Sequence, residues 1–329
     1  MRITIKDLAE YCGVSSGTVD RALNNRPGIK LKTKQKVLEA AAKLNYRPDF
    51  TARSLVKGKT MTLGIVLFDL YNRTFAQLLN AVELKAKEYG YFIYVALTNK
   101  DPDNEKQCIE YLANHKVDGM ILFTVHQGEE FEHYLESFSF PIITIFNFLS
   151  ERWQYIGIHE RGAMKDVALF IADKGYTKIT YICPPLSFQG KRNIFTQEER
   201  LKGLEEGLSE RGINHVKVIK QNDYLDVLDG LVFKDGDMAI VCSCDLYALE
   251  VMNHFKEKKI KIPEDVGLMG FDNIDVLKYI SPKLTTVEYP VEEIGKMAVE
   301  SLIYKIEDGK FNTYSPMSLD FKIIEGESI

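Results

Sequence analysis

Residues 4–24, TIKDLAEYCGVSSGTVDRALN, read as two short helices around a glycine turn. Thr4 and Asp7 have capping-box spacing: the Thr4 hydroxyl can accept from the first free backbone N–H groups, and Asp7 falls in the first turn, where negative charge is favoured. Leu8, Ala9 and Cys12 give this helix an apolar face, and Gly13 permits the positive φ that ends it. Ser15 is the N-cap expected for the second helix. Val19, Ala22 and Leu23 can pack inward, which leaves Ser16, Gly17, Asp20 and Arg21 on the outward face, the one suited to a DNA major groove. A third helix, from about residue 32 to 44, carries Val37, Leu38, Ala41 and Leu44 at helical spacing and covers the other two.

The charge distribution agrees with that reading. The 329 residues carry a net charge of −5, but residues 1–60 hold 13 Lys/Arg against 5 Asp/Glu, a net +8, and the remainder holds 29 against 42, a net −13. A basic head attracts phosphates while an acidic body is repelled by them. No apolar h-region follows Met1 and no apolar run approaches the roughly 18–20 residues that cross a bilayer, so a cytoplasmic protein without membrane contact is expected. Cys12, Cys108, Cys183, Cys242 and Cys244 form no C-x-x-C pair and are read as free thiols. The histidines are scattered, and neither a metal site nor a cofactor is indicated.

The string Ile5-Lys6-Asp7-Leu8-Ala9, Gly13-Val14-Ser15, Thr18-Val19, Arg21-Ala22-Leu23-Asn24, Tyr46-Arg47-Pro48 and Ala52-Arg53-Ser54-Leu55 closely resembles the head and hinge of the lactose/galactose repressor (LacI/GalR) family of bacterial transcriptional regulators. The resemblance extends over essentially the whole chain. It implies an α/β protein with an all-α helix-turn-helix head and a two-lobed periplasmic-binding-protein-like body with parallel sheets. The expected division is a DNA-binding head over 1–48, a hinge helix and linker over 49–60, and an effector-binding and dimerisation body over 61–329.

For the head, the resemblance implies that the second helix reads base edges of double-stranded operator DNA and that the hinge enters the minor groove when two chains pair. Ser16 and Gly17 match the family's main specificity positions. Arg21 offers a bidentate match to guanine. Asp20 replaces the family's usual Ser, and its charge would oppose phosphate unless it accepts from a cytosine amine or pairs with Arg21. Lys30 replaces a usual Ser cap at the third helix and suits phosphate contact as well as a solvated surface. Thr4, Ser15, Thr18, Asn24 and Tyr46 complete the expected contacts of the head. In the hinge, Arg53 faces the DNA and Leu55 is the expected apolar wedge between base steps.

From Thr62 onward, buried-strand runs near 63–68, 92–97, 119–123 and 142–146 alternate with helices near 74–89, 104–115 and 129–137. A second set of strands, near 179–183, 216–219, 238–243 and 266–270, alternates with helices near 162–174, 198–211 and 246–258. The family's chain crosses between lobes near 148–157 and 270–289 before a last helix over 291–306. Ligand groups in such folds sit at the carboxyl ends of strands. Asp69, Asn72, Phe75, Phe123, Asn147, Phe195, Arg200, Tyr224, Asp245 and Asp272 are therefore the expected effector contacts. Arg200 and Asp245 match the family's two most recognisable effector positions, and an Arg with an Asp can fork onto vicinal hydroxyls, which suits a sugar or polyol.

Phe146 stands where many relatives carry a sugar-binding Asp, Cys244 replaces a common Asn and His159 replaces an Asp, so a more aromatic pocket is expected. The basic loop over 184–196 leaves a phosphorylated or acidic effector open. No G-x-S-x-G, Walker or G-x-G-x-x-G motif is present, and an enzyme is not expected. The function read from the chain is a homodimeric, operator-binding repressor controlled by a small-molecule effector. A regulator tuned by a protein co-repressor is the alternative, and a solute-binding or enzymatic α/β protein is less favoured.

Overall fold

A computed structural model of the chain describes residues 3–47, 58–183, 187–188, 191–192, 195–233, 236–308 and 317–329, with backbone alone at 187–188 and 191–192. Two compact units divide the chain, Met1–Met61 and Thr62–Ile329. Arg53 and Leu55, the expected hinge contacts, lie outside the described residues.

In the first unit the capping chemistry sets the helix boundaries. Helix α1 (Ile5–Cys12) starts at a complete capping box, the Asp7 N–H donating to the Thr4 hydroxyl and the Thr4 N–H donating to the Asp7 carboxylate at 2.8 Å. It ends at Gly13 with φ +62°, and Ser15 then caps α2 (Ser16–Leu23) by accepting from the Thr18 N–H. Helix α3 (Leu31–Lys43) begins at Lys30 without a side-chain cap. Leu8, Cys12, Val19, Ala22, Val37 and Ala40 form the buried core. Leu38, expected inside, is 43% exposed: it lies one residue, about 100° of helix, beyond Val37.

The second unit begins with β1 (Thr62–Leu67), α4 (Arg73–Glu88), β2 (Phe92–Leu97), α5 (Pro102–Asn114), β3 (Gly119–Leu122), α6 (Glu129–Glu136), β4 (Ile142–Ile145) and β5 (Tyr155–Ile158). It continues with α7 (Glu160–Asp173), β6 (Lys178–Ile182), the short antiparallel pair β7 (Ser187–Phe188) and β8 (Lys191–Arg192), α8 (Phe195–Glu210), β9 (Val216–Ile219), α9 (Tyr224–Asp229), β10 (Met238–Cys242), α10 (Asp245–Lys258) and β11 (Gly267–Met269). A 3-10 turn (Asp275–Tyr279), β12 (Thr286–Glu288), α11 (Val291–Asp308), β13 (Met317–Leu319) and β14 (Lys322–Ile324) complete it.

Two parallel sheets result. The first runs β13-β5-β4-β3-β1-β2 and the second β11-β10-β6-β9. Strands β1, β3, β4 and β5 are buried along their whole length, as parallel strands covered on both faces must be. The segment expected to cross between lobes at 148–157 instead contributes β5 to the first sheet, and the chain crosses after Ile158. The second crossing, 270–285, leads into β12, which pairs antiparallel with β14.

Two close approaches position the second lobe. Helices α7 and α8 pack so tightly that a Cβ on Gly203 would overlap the Arg161 carbonyl oxygen. Asp245, at the start of α10, is buried and holds the second crossing: its carboxylate accepts from the Ile274 N–H at 2.9 Å and the Thr286 hydroxyl at 2.6 Å, and its own N–H donates to the Phe271 carbonyl. Gly270 has no room for a Cβ because the Asp245 carboxylate fills that space.

Gly203→Ala, a change that gains up to about 1 kcal/mol in an open helix, is expected here to cost about 1–3 kcal/mol by overpacking. The urea midpoint measures this, and a raised midpoint would show that α7 can give way. Burial, and then the neighbouring Asp272 charge, push the Asp245 carboxyl up to about 7 against the hydrogen bonds that favour its ionised form. The folded state then keeps a proton that the unfolded chain releases near pH ~4, so this contribution to stability is complete below that pH and lost as pH rises to about 7. Relative to Asp245→Asn, the wild-type chain is expected to be more stable at pH 5 than at pH 8 in urea titrations. A pH-independent difference would mean that Asp245 is ionised throughout.

Candidate functional site

In the first unit, α2 leaves Gly17 and Arg21 exposed and Ser16 and Thr18 half-buried. The Thr18 hydroxyl is hydrogen-bonded to that of Ser15 at 2.9 Å. Asp20 pairs with neither Arg21 nor open solvent alone: it accepts from the Asn24 amide at 2.8 Å and meets Arg26 at 3.2 Å. Of the two roles left open for Asp20, pairing with Arg21 is therefore not the one found, and Asn24 takes a place at the end of α2, where its amide also donates to the Asp20 carbonyl. Among the described residues Arg21 makes no ion pair, so its guanidinium is available on the outward face. Thr4 is engaged in the α1 cap, Tyr46 packs against the core and Lys30 is exposed.

In the second unit a cavity of about 240 Å³ opens at the carboxyl ends of strands from both sheets. One wall is aromatic. Phe68 follows β1, Phe75 lies on α4, Phe123 follows β3 and Phe146 follows β4. Phe68 stacks on Phe123 with centroids 3.8 Å apart, and Phe123 lies 5.6 Å from Phe75 and 5.1 Å from Phe146. Phe146 holds φ +59° while the Asn147 N–H donates to the Ile145 carbonyl at 2.6 Å, a positive-φ γ-turn, the rarer and strained kind. This turn ends β4 and sets Phe146 into the cavity wall.

The facing wall is polar. Arg200, on α8, is buried; its Nε donates to Glu160 at 2.6 Å, its Nη1 donates to the Ser243 carbonyl at 2.7 Å, and its plane lies 3.6 Å from the Phe271 ring centroid. Burial works against the Arg200 charge, but Glu160 and Asp272 outweigh it and hold the guanidinium above its ordinary range. Burial also raises Glu160 and Asp272, in each case opposed by Arg200. Asp272, at φ +118°, accepts from the Asn72 amide at 2.9 Å and the Tyr289 hydroxyl at 3.0 Å. Lys100 and Asp69, 3.9 Å apart, complete the charged lining.

Six of the ten expected effector residues therefore come together: Asp69, Asn72, Phe75, Phe123, Arg200 and Asp272. Four do not. Asp245 spends both carboxylate oxygens on Ile274 and Thr286, behind the cavity. Asn147 is buried as a bridge, donating to the Thr124 carbonyl and accepting from the Thr196 N–H. Phe195 packs near Phe148, and Tyr224 is turned by the short helix α9 into the core beside Tyr247. Glu160, Gln197, Ser243, Tyr247 and Tyr289 also line the cavity without having been singled out in the sequence. Glu160 was findable: it follows β5, but the reading of 148–157 as a crossing segment removed that strand end from consideration.

Residues 4–49 match the family model of bacterial regulatory proteins of the lacI family, and residues 168–329 match that of periplasmic binding protein-like domains. The HTH-type transcriptional repressor PurR of Aliivibrio salmonicida is 30% identical over 93% of this chain and 92% of its own length. The fold is that of the lac repressor dimer bound to operator and the anti-inducer ONPF, with a TM-score of 0.83 at 22% identity over 100% of this chain and 99% of that one. A periplasmic binding protein/LacI transcriptional regulator from Alkaliphilus metalliredigens, complexed with D-xylulofuranose, gives a TM-score of 0.70 at 24% identity over 82% of this chain and 98% of that one. With its helix-turn-helix head and ligand-sized cavity, the chain belongs to the lacI family of bacterial transcriptional regulators.

Proposed function

We propose that this regulator is a cytoplasmic, homodimeric repressor whose head reads operator DNA through α2 and whose body senses a sugar or polyol in the cavity between its two sheets. The division of that cavity into an aromatic and a charged wall carries the effector reading. A sugar ring has an apolar C–H face and an edge of hydroxyls, which suits stacking on Phe75, Phe123 and Phe146 with hydrogen bonding to Arg200 and Asp272. The volume lies below the usual range of about 300–1,000 Å³ for small-molecule pockets, which favours a monosaccharide-sized molecule. The Alkaliphilus relative with its bound pentulose supports the same class.

The proposed route from cavity to DNA is lobe closure. Asn72 at the start of α4 bonds to Asp272 and Arg73 pairs with Asp275 through both carboxylate oxygens, so the first lobe is tied to the second crossing at the cavity's edge. An effector that competes for Asp272 shifts the closure equilibrium, and paired chains transmit the shift to the hinge residues Arg53 and Leu55. The operator-bound lac repressor dimer supports the paired state. The face proposed for pairing includes edge strand β2, where Phe92 is 68% and Val95 40% exposed, since an open apolar edge invites a partner.

Thermal shift of the full chain against neutral sugars and polyols is expected to yield a stabilising ligand that alters operator affinity, with Asp272→Asn removing the response. A panel without a stabilising member would overturn the sugar reading. For the head, with the operator selected from random duplexes, Arg21→Ala is expected to cost about 1–3 kcal/mol and to relax preference at one base position. Uniform weakening over all sequences would instead make Arg21 a phosphate contact. Leu55→Gly is expected to abolish specific operator affinity with effector binding intact; retained affinity would remove the wedge.

A further inference from the structure

The cavity contains polar atoms that the fold itself does not use. Glu160 Oε1, Ser243 Oγ and Gln197 Oε1 have no hydrogen-bond partner among the described residues, and all three residues line the cavity. Glu160 is only 3% exposed, and its other carboxylate oxygen is held by Arg200 at 2.6 Å. A buried carboxylate oxygen left without a donor carries a desolvation cost that a bound donor removes. Asp272, also buried, adds further acceptor capacity beside Arg200.

Carboxylates outnumber cations in the lining, Asp69, Glu160 and Asp272 against Lys100 and Arg200. Arg200 has already committed Nε to Glu160 and Nη1 to Ser243, and makes no hydrogen bond through Nη2 among the described residues. Lys100 lies at the lining beside Asp69. Two buried carboxylates around one buried guanidinium leave excess negative charge in a low-dielectric space; burial raises the proton affinity of both carboxyls, and Arg200 opposes it in each case. A ligand anion placed there would meet like charge with little screening.

We propose that Glu160 decides the charge class of the effector: Arg200 fixes its Oε2, its Oε1 accepts from a ligand hydroxyl, and the cavity takes a neutral polyhydroxylated molecule while rejecting sugar phosphates and uronic acids. This rests on the effector site proposed above and narrows it. It also sets aside the acidic effector that the basic loop over 184–196 had left open.

The test is calorimetry on the full chain with matched probes: ribose and ribose 5-phosphate, glucose, glucose 6-phosphate and glucuronate. Wild-type protein is expected to bind a neutral sugar in preference to its anionic counterpart. Glu160→Gln should weaken the neutral sugar at least about tenfold, the scale of losing a hydrogen bond to a charged group, while the anionic counterpart weakens less or gains. That change in ratio separates ligand contact from a structural role, because loss of Arg200 positioning would weaken both alike. Equal weakening, unchanged binding, or wild-type preference for an anion would each overturn the proposal and leave the effector site standing. Binding of no probe would overturn both. Should Glu160→Gln fail to fold, Glu160→Asp keeps the charge for Arg200 and withdraws Oε1, and must weaken the neutral sugar without admitting the anion.

Discussion

The second lobe is organised around the burial of one guanidinium. Arg200 reaches the cavity wall from α8, and nothing except close compensation makes that burial tolerable: removing such a charge from water costs several kcal/mol before any pairing is counted. The compensation comes from separate parts of the chain, Glu160 at the start of α7, the Ser243 carbonyl after β10 and the Phe271 ring on the second crossing. Each of those segments must therefore keep its place for the others to be stable. Gly203, one helical turn beyond Arg200, lets α8 lie against the α7 backbone, and this close approach brings Arg200 within reach of Glu160. An apolar replacement of comparable volume could match the pair in stability.

Backbone strain is found on both sides of the same space. Phe146 and Asp272 each hold a positive φ, one at the end of β4 and one on the second crossing. Such conformations in non-glycine residues cost of order 1–3 kcal/mol and persist where surrounding contacts over-determine them. Phe146 is held by the hydrogen bond from its own N–H to the Ile156 carbonyl and by Phe123, Asp272 by its N–H to the Val287 carbonyl and by Asn72 and Tyr289. The two strained positions fix an aromatic face opposite a carboxylate before any ligand arrives. A site arranged in advance loses less of its binding free energy to ordering.

How much of this was readable in the sequence follows from the range of the interactions involved. The helix-turn-helix was legible because its signals are local: Thr4 with Asp7, Gly13, and Ser15 act within three or four residues. The buried strands were legible as apolar runs bounded by polar segments. Strand β5 was not, since four residues that include Gly157 give little pattern and its neighbours β4 and β13 are distant in sequence for the latter. The site repeats the distinction. Residues at recognised strand ends, such as Asp69 and Phe123, reach the cavity. Asp245 also stands at a strand end, yet its carboxylate turns toward Ile274 and Thr286, 29 and 41 residues onward, and no local pattern encodes that choice.

Asp245 and Asp272 together link the cavity to the contact between the two lobes. Asp245 fixes the segment that carries Asp272, and Asp272 in turn bonds to Asn72 at the start of α4 in the first lobe. Burial and then the Asp272 charge raise the proton affinity of Asp245, so a ligand that donates to Asp272 also changes the electrostatic load on Asp245. Such a ligand need not push the lobes. It need only favour the arrangement in which Asp272 faces the cavity over the one in which Asn72 holds it, and reciprocity then requires the lobe arrangement to alter ligand affinity by the same factor. Couplings of this kind are typically about 1–3 kcal/mol, comparable with a single charge-assisted hydrogen bond. One bond exchanged at Asp272 is therefore enough to account for an allosteric response, without a chain of rearrangements through the core.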